Sequence, residues 1–214
     1  MLLDHVVSVF YLQNDFVFQV LKTPGRMAAP VFCYFVAEGY RHTSNRKKYV
    51  FRLILFAAIS HYPFNLAFGY GFFQATSVIW ALAMGLVALS AVKSSRFHLV
   101  AKAGIILVCC LAALTANWNF TAVLWVLGFG LFFENFKRQI ISFILIGSTT
   151  YLGLRFFYFG VQDWYQFGIF LAIPFLAAYN GKLGQKSKAM SWFFYIFYPG
   201  HLIILHILRS LIFL

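Results

Sequence analysis

Apolar segments of helix length make up most of the chain, and the short connectors between them carry most of its charge. In hydrocarbon every backbone polar group has to be satisfied within the chain, which leaves helices and closed barrels as the only spanning structures. Segments of this length and composition favour helices. The pattern therefore predicts an all-α, polytopic transmembrane helical bundle of about nine spans. The segments run over about 1–13, 27–40, 49–68, 75–92, 99–115, 120–134, 139–157, 165–180 and 191–208.

The composition agrees with a membrane protein. Of the 214 residues 62% are hydrophobic and 10% are charged, whereas a soluble domain is about half apolar and a quarter charged. Twenty-eight Phe and twelve Tyr suit lipid-facing helices with aromatic belts at the two interfaces. The length allows a single integral membrane domain over 1–214, and its first expected partner is the lipid bilayer.

The distribution of charge predicts an orientation. The net charge is +12, and twelve of the seventeen basic residues fall in the connectors after the second, fourth, sixth and eighth segments. The opposite connectors hold only Lys22. The positive-inside rule then places the N-terminus inside and the C-terminus outside. Because the basic residues fit topology and anionic lipid, and no recognition module is present, we expect no nucleic-acid partner.

Ionisable residues interrupt the apolar segments between 23 and 66. An ionisable group within a membrane span is a functional-site hypothesis by default, because burying it is costly. Glu38 shares a helix face with Arg41 and His42, three and four residues later. Arg26 lies near the opposite membrane face, and Arg52 could reach back to Glu38. We expect these residues to form one wall of a polar site near the cytoplasmic face, although a structural ion pair explains Glu38 equally well.

Two further groups of polar residues could carry chemistry. Asp4 and His5 lie in the first segment, and histidine is the side chain best suited to accept a proton near neutral pH. A pair at a helix end near water is the alternative. Tyr198 and His201 share a face of the last segment and flank Pro199.

Other polar residues have simpler interpretations. His61, Tyr62 and Asn65 predict a hydrogen-bonded cluster at the outer end of the third segment, and Trp118 predicts an interfacial anchor. The Pro24-Gly25 pair predicts a turn before the second segment.

The cysteines and the known motifs indicate no metal site. Cys33, Cys109 and Cys110 lie in apolar segments without metal-ligand spacing, so we expect buried structural thiols and no metal. The chain has no P-loop, G-x-S-x-G, H-E-x-x-H or dinucleotide fingerprint.

Four motifs resemble the TraX family. They are LLDH, GRMAAPVFCYFVAEGYRHTSNRKKYVFRLILFAAISHYPFNL, YNGKLG and FFYIFYPGHLIIL, which occur in this order across nearly the whole chain. The resemblance implies a multi-pass protein of the cytoplasmic (inner) membrane that is similar to multi-span acyltransferases. The founding member of the family is associated with N-acetylation of a conjugative pilin subunit.

The resemblance also implies roles for individual residues. The implied catalytic residues are Asp4, His5, Arg26, Tyr198 and His201. The residues implied to bind acetyl-CoA, as acyl donor, are Arg41, His42, Asn45, Arg46, Lys47, Lys48 and Asn180. The residues expected to support the site are Glu38, Arg52, Pro30, Gly181 and Pro199.

The expected function is acyl transfer to a peptide terminus or a surface glycan. Acetyl-CoA would approach from the cytoplasm with its phosphates on the basic connector 41–48. His5, or alternatively His201, would take a proton from the acceptor, and Arg26 or Tyr198 would polarise the thioester carbonyl. A small-solute transporter or a non-enzymatic membrane assembly partner is the alternative. A cytoplasmic funnel that is lined by 41–48 and ends at His5 would favour transfer, and a closed apolar core would favour a scaffold.

Overall fold

A computed structural model of the chain describes residues 1–11, 15–159, 163–181 and 188–212. Within these ranges the regular structure is helical, apart from an isolated bridge between Thr76 and Ala116. The all-α prediction is confirmed. The helices are α1 (Leu2–Phe10), α2 (Phe16–Arg26), α3 (Ala28–His42), α4 (Arg46–Phe68), α5 (Val78–Val92), α6 (Leu99–Ala112), α7 (Asn119–Leu131), α8 (Phe136–Ile146), α9 (Leu154–Phe159), α10 (Ala172–Ala178) and α11 (Lys188–Ile212). A π-helical segment, Gly147–Gly153, joins α8 to α9, and a 3₁₀ segment, Trp164–Leu171, leads into α10.

Helices α5 and α7 form the centre of the bundle, and α3 packs against α7. Small residues allow the backbones to approach closely, as is usual between membrane helices. A Cβ on Gly85 of α5 would lie 2.8 Å from Val126 Cβ, and one on Gly130 of α7 would lie 2.5 Å from Leu89. Trp125 of α7 is fully buried in this core.

Several helices are long and apolar enough to cross a membrane. Within the described residues these are Arg46–Phe68, Phe136–Phe157 and Tyr195–Ile212. The shorter apolar helices are Val78–Val92, Leu99–Ala112, Asn119–Leu131 and Trp164–Ala178. These lengths support a membrane location, while the nine spans and the orientation stay predictions.

The expected turn at Pro24-Gly25 is wrong, because both residues lie inside α2. Asp15 begins this helix by accepting a hydrogen bond from the Phe18 backbone N–H at 2.9 Å, which lowers the pKa of the Asp15 carboxyl. Met27, between α2 and α3, keeps helical dihedral angles (φ −63°, ψ −19°). At a rise of about 1.5 Å per residue, α2 and α3 together extend over about 40 Å, enough to cross a bilayer.

The two longest helices, α4 and α11, run in the same direction. Tyr195, early in α11, stacks on Phe56 of α4 at 4.2 Å between ring centroids. Arg209, late in α11, donates to the Ala67 carbonyl near the end of α4 at 3.3 Å. The bundle therefore has a Phe68 end and an Arg46 end, named for the last and first residues of α4, about 34 Å apart along that helix. The charge pattern predicts that the Arg46 end is cytoplasmic.

Candidate functional site

Asp4 is the centre of a buried ion-pair cluster between α1 and α2. Its carboxylate accepts from Arg26 Nη2 at 2.7 Å, and Lys22 Nζ lies 3.6 Å away. Lys22 also contacts Ser8 Oγ and donates to the Asp4 backbone carbonyl at 3.3 Å. The two helices meet this closely because Gly25 faces α1, where a Cβ would lie 2.6 Å from Asp4 Cβ. The candidate residues Asp4 and Arg26, which the sequence could not pair, are thus direct partners.

Aromatic rings hold the Arg26 guanidinium in place. Its central carbon lies 5.2 Å from the Trp118 ring centroid and 5.4 Å from that of Tyr165, within the range of cation–π contacts. Trp118 also stacks on Tyr151 at 4.8 Å. Trp118 is only 5% exposed, so the prediction of an interfacial anchor is wrong, and this ring belongs to the site.

His5 and His201 form a hydrogen-bonded pair. His5 Nδ1 lies 2.8 Å from His201 Nε2, although the two residues are 196 positions apart in the chain. His201 Nδ1 lies 2.7 Å from the Phe197 carbonyl oxygen, which can only accept, so this nitrogen carries a proton. When His201 is neutral, its Nε2 must accept from His5 Nδ1–H. This order of donors leaves a lone pair on His5 Nε2, the form that a general base needs.

Tyr198 lies against the histidine pair. Its ring meets the His5 ring edge-on at 6.0 Å and the His201 ring at 5.5 Å. Its hydroxyl is buried close to the Ser77 side chain and the Val78 backbone. The predicted catalytic residues therefore form two adjoining groups, because Asp4 and His5 are neighbours on α1. Pro199 lies on α11 within the same stretch.

A cavity of about 540 Å³ opens beside Asp4 and Arg26. It lies at the Phe68 end of the bundle, since Phe68 and Tyr70 border it together with Asn117 from the α6–α7 connector. A second cavity, about 20 Å³ in volume, borders Asp4, His5 and Trp118. A ligand in the large cavity can thus reach Asp4 and Arg26, whereas His5 borders only the small cavity.

Irregular helices border the large cavity. The π segment contributes Tyr151, and the 3₁₀ segment contributes Tyr165 and Gln166. The Gln166 side-chain amide donates to the Tyr151 hydroxyl, and Arg155 Nη2 donates to Asp163 at 3.0 Å. Such helical irregularities are common at functional sites.

The sequence analysis missed the residues from these two irregular segments. Arg155 could have been identified from the sequence, because it is an ionisable residue inside the predicted apolar segment 139–157. The tyrosines and Gln166 gave no comparable signal, because tyrosine is abundant throughout this chain.

The family model described as TraX protein matches residues 1–209. The chain belongs to the TraX family. One relative in this family is a probable fimbrial assembly protein FimC, serogroup H1, from Dichelobacter nodosus. It is 29% identical over 219 residues, which cover 96% of this chain and 89% of the relative. No solved structure matches the chain significantly.

At the Arg46 end of this TraX-family bundle, the structure places a second polar group. Glu38 Oε2 lies 3.3 Å from His42 Nε2, the pairing that their four-residue spacing predicted. Arg52 does not reach back to Glu38. Its guanidinium lies on the rings of Tyr49 and Tyr195 at 5.6 and 5.4 Å, and the side chain is exposed.

The residues predicted to bind acetyl-CoA lie on the exposed surface of the Arg46 end. Asn45 begins α4, since its side chain accepts from the Lys48 backbone N–H at 2.9 Å. Arg41 lies over the Phe133 ring at 6.0 Å, and Arg46 lies over Tyr40 at 4.7 Å. The other members of this set, which are also exposed, are His42, Lys47, Lys48 and Asn180.

None of the residues 41–48 borders the cavity at the Phe68 end. The sequence analysis expected one funnel from these cations to His5. In the structure the cations and the histidine pair lie toward opposite ends of α4, whose length is about 34 Å. The described cavity therefore opens at the end opposite to the expected one.

The remaining predicted residues have structural positions. Pro30 is buried in the first turn of α3. Gly181 has a φ of +70°, the left-handed conformation expected just after a helix. His61 Nε2 and Asn65 Nδ2 both bond the Phe72 carbonyl, at 2.7 and 3.1 Å, which agrees with the predicted cluster.

Within the ranges that the structure describes, no three His, Cys, Asp or Glu side chains lie close enough to bind a metal ion. The side chains that the structure brings together at the site are histidine, arginine, lysine and tyrosine, with the carboxylate of Asp4. These groups can transfer protons, bind anions and stabilise an oxyanion.

Proposed function

We propose that this TraX-family chain is a membrane acyltransferase and that its acceptor enters the cavity at the Phe68 end. The observation that carries the proposal is the chain of hydrogen bonds from the Phe197 carbonyl through His201 to His5. It holds the His5 imidazole in one tautomer at the small cavity, and Asp4, which precedes His5, borders both this cavity and the large one. The founding member's association with pilin acetylation and the fimbrial assembly name of the relative are consistent with an acyl acceptor on a peptide or a surface glycan.

The reaction begins with a proton transfer. His5 Nε2 takes the proton of an acceptor amine or hydroxyl as that nucleophile attacks the acyl carbonyl of the donor thioester. His201 Nε2 accepts from His5 Nδ1–H throughout, so the imidazolium keeps its orientation, and the neighbouring Asp4 carboxylate stabilises its charge.

The tetrahedral intermediate carries a negative charge on the former carbonyl oxygen. Two buried donors near the histidines are suited to stabilise it, the Arg26 guanidinium and the Tyr198 hydroxyl. Arg26 Nε has no hydrogen-bond partner among the described residues, and the Tyr198 hydroxyl lies close to Ser77 and the Val78 backbone. When the intermediate collapses, the carbon–sulfur bond breaks, and the thiolate receives the proton that His5 holds.

Acetyl-CoA as the donor remains a prediction, and its expected binding residues fit the site poorly. Cations on the 41–48 connector would hold the phosphates at the Arg46 end, whereas the His5 ring contacts Phe68 at the other end of α4, at 5.4 Å between centroids. We therefore assign no step to Arg41, Arg46, Lys47 or Lys48. The same scheme accommodates any acyl thioester whose carbonyl reaches His5.

The test compares three histidine variants in lipid nanodiscs. Purified protein is incubated with labelled acetyl-CoA and either a peptide with a free N-terminus or a glycan. We expect His5→Ala to lower the transfer rate by a factor of about 10²–10⁴, the usual effect of removing a general base. The matched control is His206→Ala, which removes a histidine on the same helix as His201.

The His201→Ala variant tests whether His201 acts as a base itself or only positions His5. If His201 orients His5, the loss should be smaller than for His5→Ala, and the pH profile of the residual rate should change. Equal rates for wild type, His5→Ala and His206→Ala would refute the proposal. A non-enzymatic assembly partner predicts instead that fimbrial assembly survives His5→Ala.

A further inference from the structure

The large cavity contains more positive than negative side chains. Its ionisable residues other than tyrosine are Asp4, Lys22, Arg26 and Arg155. Asp163 neutralises Arg155 at 3.0 Å, whereas Lys22 and Arg26 share the single carboxylate of Asp4. One positive side-chain charge is therefore left without a carboxylate. In a bundle surrounded by lipid such a charge is costly unless a ligand or water compensates it.

Arg26 has an unused donor at the same place. Its Nη2 bonds Asp4, but its Nε makes no hydrogen bond to any described residue, although the side chain is only 9% exposed. A guanidinium binds a carboxylate or phosphate most strongly through two parallel N–H donors. Because Trp118 and Tyr165 lie against the guanidinium, it is held ready for such a ligand.

The rest of the cavity suits a polar molecule. Asn117, Asn119 and Thr150 border it with amide and hydroxyl groups, and its volume of about 540 Å³ falls in the range of small-molecule sites. An anionic group at Lys22 and Arg26 would leave these side chains to contact the neutral part of the same molecule.

We propose that Lys22 and Arg26 bind an oxyanion, a carboxylate or a phosphate, that the acyl acceptor carries. The identity of the ligand as an acceptor rests on the proposed function, with the Arg26 guanidinium then occupied by the acceptor's anion and the Tyr198 hydroxyl left to stabilise the tetrahedral oxyanion. The anion site itself rests only on the charges, the unused Arg26 donor and the cavity. Lys22 is a residue that the sequence analysis did not single out for the site.

The site contains its own optical reporter, because Trp118 lies on the Arg26 guanidinium. The experiment measures tryptophan fluorescence of the full chain in phosphatidylcholine nanodiscs during titration with inorganic phosphate or with acetate. A parallel sample contains phosphatidylglycerol. We expect a saturable change that disappears in the Trp118→Phe variant.

Substitution of Lys22 tests the assignment. Lys22→Gln should weaken binding of inorganic phosphate at least about tenfold, equivalent to about 1.4 kcal/mol, while Lys22→Arg should retain the affinity. The matched control is Lys93→Gln, which removes an exposed lysine over the Phe133 ring. If Lys22→Gln unfolds the protein, the Trp118-dependent response of wild type and of Lys22→Arg still tests anion binding, and its absence overturns the proposal.

Each outcome decides the proposal. A response to the free anions supports a site for a soluble oxyanion, and a response to phosphatidylglycerol alone supports the same site with a lipid headgroup as the source. The proposal is overturned if neither gives a Trp118-dependent response, or if Lys93→Gln weakens binding as much as Lys22→Gln. His5→Ala should bind phosphate normally. Anion binding without any acyl transfer by the wild type would therefore refute the proposed function and leave the anion site intact.

Discussion

Substitution of Gly25 by alanine is expected to separate α1 from α2 at the site. The added Cβ would lie 2.6 Å from Asp4 Cβ, 3.1 Å from Asp4 Cα and 3.2 Å from the Asp4 backbone nitrogen. Carbon atoms in contact rest at about 3.5–4.0 Å. Because the obstructing atoms belong to or adjoin the backbone, no side-chain rotation relieves the contact, and α1 has to move by about 1 Å.

This displacement has a cost that the structure allows us to bracket. Overpacking a buried contact costs about 1–3 kcal/mol, and replacing glycine by alanine within a helix returns up to about 1 kcal/mol. The net loss should be about 0–2 kcal/mol, with about 1 kcal/mol as the central expectation. A movement of 1 Å would also disturb the 2.7 Å bond between Arg26 and Asp4, and a misplacement of about this size can lower a reaction rate about 10²-fold.

The assay is thermal unfolding of the purified variants in detergent, followed by acyl transfer where activity has been found. The matched control is Gly104→Ala in α6, where a Cβ would have no neighbour within 4 Å. For a chain of this size 1 kcal/mol corresponds to about 2–4 °C in the unfolding midpoint. We expect a lower midpoint for Gly25→Ala and an unchanged or higher one for Gly104→Ala. Equal midpoints would show that α1 does not pack on Gly25 in this way.

Three further predictions use the same unfolding assay. Asp4→Asn should destabilise the protein by about 3 kcal/mol, because it leaves the buried Arg26 without its carboxylate. The control Asp15→Asn should be nearly neutral, because asparagine also caps helices. Equal losses of stability in the two variants would contradict the ion pair. Asn45→Ala should cost about 1 kcal/mol through loss of the cap of α4, and an unchanged midpoint would be evidence against that cap. Arg209→Met should lower the stability by about 1 kcal/mol, because it removes the charged donor to the Ala67 carbonyl near the end of α4. An unfolding midpoint equal to that of wild type would count against this contact.

Local sequence patterns were sufficient for most of the helices and for contacts within one helix, but not for α2, which lies between the predicted segments 1–13 and 27–40. The pairing of Glu38 with His42 follows from a spacing of four residues, because such residues lie on the same helix face. The turn at Pro24-Gly25 was predicted wrongly because proline and glycine usually interrupt helices, whereas here the glycine is required where α1 packs against α2.

The sequence also identified most of the polar residues at the site, because an ionisable side chain is conspicuous in an apolar segment. It identified Asp4, His5, Arg26 and His201 as members of the site but could not tell which of them touch. It also grouped them with the cations of the 41–48 connector, which lie toward the other end of the bundle.

The amino-acid sequence alone determined that the chain is a helical membrane protein and which polar residues lie within its apolar segments. Only the tertiary structure decided that Arg26 meets Asp4, that His201 meets His5, and that the cavity opens at the Phe68 end. The physical reason is that helix formation depends on neighbours a few residues away, whereas these contacts depend on which helix faces pack together. In segments that are apolar on nearly every face, periodicity does not specify that choice.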